Sequence, residues 1–163
     1  MKYARFEDLP VWKTAIELAI GVYALTETDN FKGKASLRDQ LERAAVSVSN
    51  NIAEGFERGT TQELLTFIYI SRGSAGETRS MLHLLDRMPA FSNLKSQISN
   101  LRSIAESISR QLRAWADSLQ NSEIRGQRHL NEKVRREAQR KKEQEEFLAE
   151  LQQITAGKTG KTE

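Results

Sequence analysis

The sequence predicts an all-α protein: an up-down antiparallel four-helix bundle with a charged C-terminal helical arm. Three observations carry this. Apolar residues recur at helical spacing in four successive segments. The joints between those segments are short, which makes consecutive helices antiparallel neighbours. The 163 residues include only two prolines, nine glycines and 7% aromatics, a balance that favours helices over a β-sandwich or barrel.

The first helix is expected to start from Asp8 as N-cap, with Pro10 in its first turn. Val11, Trp12, Ala15, Ile16, Leu18, Ala19, Val22, Tyr23 and Leu25 form two adjacent apolar stripes, so it should bury a broad face. It should fade near Thr28. The second helix is expected from Ser36, with Asp39 three residues on, close to a capping box. Leu37, Leu41, Ala44, Ala45, Val48, Ile52 and Phe56 make its core stripe, and Gly59 should end it. Thr60 with Glu63 is a full capping-box pattern for the third helix, which should run to Met88 and stop at Pro89. That helix is apolar on much of its circumference, including Phe67, Tyr69, Ile70 and Leu84. The excess points to a subunit interface. The fourth helix should start near Ser92 or Asn93. Leu94, Ile98, Leu101, Ala105, Ile108, Leu112, Trp115 and Leu119 step by four and three, the heptad seam of a bundle.

These helices place the bundle at residues 1–121. The character changes in residues 122–163, where ten Lys/Arg and eight Asp/Glu crowd the stretch from 123 onward. The expectation there is a solvated helical arm with a disordered end. A sharper alternative is that Arg135, Arg136, Arg140, Lys141 and Lys142 grip RNA or DNA.

Small residues mark the second and third helices. Ala44, Ala45, Ser47, Ser49 and Ala53 lie in one, and Ser71, Gly73, Ser74, Ala75 and Gly76 in the other. A hairpin about Gly59 puts Ala45 roughly opposite Ser74. Each glycine inside a helix costs about 1 kcal/mol relative to alanine. Close approach of the two helix backbones at Gly73 and Gly76 is the expected compensation. A polar stripe of Ser47, Asn51, Glu54 and Arg58 flanks the apolar one. With Ser74 and Glu77 it forms a structural polar motif, read as a hydrogen-bonded boundary that fixes helix register, or else as a partner surface.

The chemistry is sparse. With no cysteine there is neither a disulfide framework nor a thiolate site, which suits a reducing cytoplasm, the expected location. No apolar run approaches the roughly 20 residues that span a bilayer. The opening MKYARFEDLP has no apolar signal-peptide core. A di-iron bundle needs Glu-x-x-His twice, and neither His83 nor His129 has a Glu three residues before it. No metal or cofactor is expected. Phosphate-binding glycine loops and nucleophile motifs are absent as well, so an enzyme is the weaker class.

Net charge is +3, with a pI near 9.3. That balance fits nucleic-acid contact. The candidate phosphate contacts are Arg38, Arg43, Arg72, Arg79, Arg102, Arg110 and Arg113, besides the arm's clusters. Arg72 and Arg79 are seven apart and share a face; Arg102, Arg110 and Arg113 group on the polar side of the fourth helix. Aromatic residues for base stacking are not visibly interleaved with them. In a monomer these arginines can simply solvate the surface. In a ring each patch repeats with every subunit.

Ala44-Ala45-Val46-Ser47, Asn51-Ile52-Ala53-Glu54-Gly55, Arg58, Gly73-Ser74 and Glu77 resemble the four helix bundle protein family. So does the opening Phe6-Glu7-Asp8-Leu9-Pro10-Val11-Trp12. That family includes proteins encoded in intervening sequences of bacterial large-subunit ribosomal RNA genes. It is related to the accessory proteins of diversity-generating retroelements. The resemblance covers roughly residues 3 to 120. It implies a ring-like homopentamer. The leading expectation is a non-catalytic scaffold that binds nucleic acid, with the accessory subunit of a retroelement reverse transcriptase as its more specific form. The alternatives are an intervening-sequence protein that binds RNA or has no essential role, and a bundle with a small-molecule site between subunits.

Overall fold

A computed structural model describes residues 3–121, together with Arg140 and Gln144. Four helices follow one another: α1 Pro10–Thr26, α2 Ala35–Glu57, α3 Thr61–Arg87 and α4 Lys95–Gln120. Each packs on its neighbour in sequence, and α1 also lies against α4, which closes the bundle. By contacts the chain divides into two units, Met1–Gly126 and Gln127–Glu163, and the four helices lie in the first. Of the arm, only Arg140 and Gln144 are described, both helical and exposed; Arg135, Arg136, Lys141 and Lys142 lie outside the described residues.

The core is the set of apolar stripes turned inward. Leu18, Leu41, Ile52, Ile68, Leu82, Ile98, Ile108 and Leu112 are fully buried. The heptad seam of α4 supplies five of its buried positions, from Ile98 to Leu112. At one end the two loops are tied together. Phe31 and Phe91 meet edge to face at 4.9 Å. The Asn30 amide donates to the Ala90 carbonyl at 2.6 Å and to Asn93 Oδ1 at 2.8 Å.

The helix ends differ from the sequence expectations for a common reason. Burial of a loop side chain displaces the start. A 3-10 turn at Phe6–Asp8 uses Asp8, and buried Leu9 becomes the N-cap of α1, with Pro10 at the first helical position. Buried Phe31 sits in a 3-10 turn, so α2 starts at Ala35 after Lys34, without the side-chain cap expected at Ser36. Fully buried Phe91 holds Pro89–Leu94 in a 3-10 turn, which delays α4 to Lys95. α1 ends at Thr26 and α3 at Arg87. Gly59 does not adopt a left-handed conformation; extended backbone at Arg58 and Thr60 makes the break. The Thr60 cap does form: its hydroxyl accepts from the Glu63 amide at 3.2 Å and donates to the Glu63 carboxylate at 2.8 Å.

The seam between α2 and α3 corrects the glycine expectation. A Cβ at Gly73 or Gly76 would meet nothing within 4 Å, so neither glycine serves helix packing. The close approach is at Gly55 instead, where a Cβ would lie 2.5 Å from Phe67 Cβ. Ser71 and Ala75 face the seam and are fully buried. Ser71 Oγ donates to the Val48 carbonyl at 2.8 Å. The Ser47 and Ser74 hydroxyls meet at 2.9 Å, two residues from the expected Ala45–Ser74 register. The Asn51 amide donates to Ser47 O at 2.7 Å and to Ser47 Oγ at 2.9 Å. Glu54 pairs with Arg58, whose guanidinium lies over the Phe67 ring at 5.0 Å. Glu77 is apart from the serines and accepts from Gln40 Nε2 at 3.2 Å. Every buried side-chain polar atom among the described residues is hydrogen-bonded.

The broad face expected of α1 is only partly buried. Tyr23 and its neighbour at helical spacing, Ile20, are exposed. On α3, Tyr69, Ile70 and Leu84 are also exposed.

Candidate nucleic-acid interface

The basic residues gather most densely in an open groove between α3 and α4. The stripe at the surface of α3 runs through Tyr69, Arg72, Gly73, Gly76, Arg79, Ser80, His83 and Arg87, positions three or four apart that share one face. It lies beside the buried stripe of Ile68, Ser71, Ala75, Thr78 and Leu82. The facing stripe of α4 is Glu106, Ser109, Arg110 and Arg113. The upper stretch encloses about 510 Å³. A second stretch of about 520 Å³ shares Gly76, Arg79 and Glu106 and reaches Arg87. Gly73 and Gly76 keep the floor low because they add no side chain.

The electrostatics are one-sided. Five arginines line the two stretches, and Glu106 is their one carboxylate. Arg110 pairs with Glu106 at 2.8 Å and Arg113 with Asp117 at 3.7 Å. These exposed i,i+4 pairs are weak and can open to another anion. Arg72 and Arg79 are half-buried. Neither has an ion-pair partner among the described residues. Tyr69 closes one end; the residue is 45% exposed, and its hydroxyl accepts from Gln120 Nε2 at 2.9 Å.

The structure therefore brings together Arg72, Arg79, Arg110 and Arg113, and separates the other candidates from them. Arg102 pairs with Asp86 at 3.0 Å, outside the groove. Arg38 pairs with Asp39 at 3.1 Å. Arg43 lines a separate open hollow of about 530 Å³ on α1 and α2 with Tyr23 and Asn50. Sequence reasoning missed the aromatic: Tyr69 stands one turn before Arg72 and so shares its face. It also missed Gly73 and Gly76 as groove floor. Their spacing from Arg72 and Arg79 carried the signal, but seam and groove lie on adjacent faces of one helix. Among the described residues no group of three His, Asp or Glu side chains is placed to hold a metal ion. No described helix is long and apolar enough to cross a membrane.

Comparison with known proteins gives two findings. The sequence model of a family described as 23S rRNA-intervening sequence protein matches residues 7–114, more than half of the chain. A solved structure of a protein of unknown function from the S23 ribosomal protein family of Bacteroides thetaiotaomicron is similar in fold, with a TM-score of 0.58 and 19% identity. The likeness covers 65% of this chain and 97% of that one. No curated protein matches.

Proposed function

We propose a function on this premise: the chain belongs to the 23S rRNA-intervening sequence protein family. It is a non-catalytic scaffold that binds RNA through the α3–α4 groove and acts as a ring-like homo-oligomer, a pentamer, in the cytoplasm. The observation that carries this is the pair Arg72 and Arg79, half-buried in a basic groove without carboxylate partners among the described residues. A half-buried guanidinium lacking an anion is a standing site for one. Phosphate neutralisation releases condensed counterions and gives affinity that does not depend on sequence. Self-association repeats the groove around the ring, and the exposed Ile20, Tyr23, Ile70 and Leu84 offer apolar surface for it.

The test is fluorescence anisotropy of the full chain with a structured RNA over a salt series. Affinity should fall steeply with salt. Arg72→Ala with Arg79→Ala should weaken binding to all sequences alike and flatten the slope by about one for each phosphate no longer neutralised. Binding that ignores salt, or is untouched by both substitutions, overturns the reading. The finer reading, an accessory subunit of a retroelement reverse transcriptase that handles RNA or DNA with it, rests on the motif resemblance. The neighbouring gene separates it from a protein acting alone: a reverse transcriptase with a template repeat, or a ribosomal RNA operon.

A further inference from the structure

We infer that the α3–α4 groove is a seat for a single strand: unpaired RNA lies along it with phosphates on Arg72, Arg79, Arg110 and Arg113, and one base stacks on Tyr69. The inference rests on the RNA-scaffold reading and specifies the form of RNA. It starts from the glycines. Gly73 and Gly76 sit in the middle of α3, where each weakens the helix relative to alanine. Neither gains packing in return, because a Cβ at either position would meet nothing within 4 Å. What they provide is an open floor, the condition for close approach of a ligand to a backbone.

Shape selects the ligand. Packed helix axes lie about 8–10 Å apart, so the furrow on them is too narrow to take a duplex, whose bases are stacked inside. A single strand fits, and its bases turn outward without breaking pairs. The stripe from Tyr69 to Arg87 spans about 27 Å at helical rise. That accommodates a few nucleotides, the lower end of known single-strand site sizes, about 4 to 16. Chemistry supplies both contacts such sites use. Half-buried Arg72 and Arg79 track the backbone. Tyr69 is the platform: the residue is nearly half exposed, and Gln120 Nε2 donates to its hydroxyl at 2.9 Å. Every base has a π-face, so the seat tolerates any sequence.

The experiment measures anisotropy of the full chain with a labelled oligouridine of about 12 nucleotides, against a mixed-sequence RNA duplex of equal length. The single strand should bind about ten-fold tighter or better. Gly73→Leu and Gly76→Leu put a side chain on the floor, where an added Cβ meets nothing within 4 Å. They should fold with an equal or higher Tm, keep the wild-type mass, and lose about ten-fold or more in single-strand affinity. Tyr69→Ala should lose about ten-fold, and Tyr69→Phe, which keeps the ring and gives up only the bond to Gln120, should lose clearly less than Tyr69→Ala. If a leucine variant fails to fold, the Tyr69 pair still decides. Equal affinity for strand and duplex, with both falling in Arg72→Ala/Arg79→Ala, overturns the single-strand seat and leaves the RNA scaffold standing. Full single-strand binding by a folded Gly73→Leu, or by Tyr69→Ala, also overturns it. A changed oligomeric mass in Gly73→Leu puts a second copy in the groove and overturns it too. No binding of either probe at low salt removes both readings.

Discussion

Residue by residue, the glycines of α2 and α3 separate into two kinds with opposite consequences. At Gly55 a Cβ would stand 2.5 Å from Phe67 Cβ and 3.3 Å from Leu64 Cδ1. Gly55→Ala must push the two helices apart, and we expect a loss of about 1–3 kcal/mol, the usual cost of overpacking. At Gly73 the added methyl meets only solvent. Gly73→Ala should stabilise the helix by up to about 1 kcal/mol. Urea melts of the two variants beside wild type measure both signs. A stable Gly55→Ala, or a destabilised Gly73→Ala, contradicts this division. The sequence alone shows a glycine in α2 and two in α3; which of them meets the other helix depends on how each helix is rotated about its axis.

At the scale of the element, the apolar periodicity that located four helices came from the buried stripes themselves. Ile98, Leu101, Ala105, Ile108 and Leu112 are all buried. Their boundaries were less legible, because each start competes with a burial that sequence spacing does not reveal. The contrast yields a second prediction. Thr60 caps α3 through its side chain. Thr60→Ala should therefore cost about 1 kcal/mol. Ser36 lies inside α2, exposed and with no capping bond. Ser36→Ala should leave stability within about 0.5 kcal/mol of wild type, as for ordinary surface changes. Thermal melts of the pair check it, and equal losses would place a cap at both.

For the whole molecule the question is assembly. Exposed Ile70 and Leu84 are two heptads apart on α3, and Ile20 and Tyr23 are three apart on α1. These side chains are the apolar surface that self-association would cover. We expect a closed homo-oligomer by light scattering coupled to size exclusion, with a pentamer as the specific outcome. Ile70→Glu with Leu84→Glu should lower the mass and leave the far-ultraviolet helix signal intact. Wild-type protein that is monomeric at micromolar concentration would falsify the ring and the multiplied groove together. Removing residues 122–163 should leave the bundle's melt cooperative, since the four helices and their core lie within Met1–Gly126. It should also weaken RNA binding if the arm's basic clusters add phosphate contacts.

What the sequence determined by itself was the number, order and inward faces of the helices. Each helix needs one apolar stripe buried, and the spacing of that stripe is written locally. It also determined the Thr60 cap and the hairpin register to within two residues, with Ala45 expected opposite Ser74 and Ser47 meeting it, because short joints leave a hairpin little choice. Tertiary structure alone decided the groove. Tyr69, Arg72, Gly73, Gly76 and Arg79 sit on one stripe of α3, and Arg110 and Arg113 come from a helix more than thirty positions on. Whether those stripes meet depends on how each helix is rotated about its axis, and the packing of all four buried stripes together sets that rotation. The same packing pairs Arg102 with Asp86, and neither lines the groove. Charge periodicity says which arginines share a helix face; only the closed bundle says which faces form one surface.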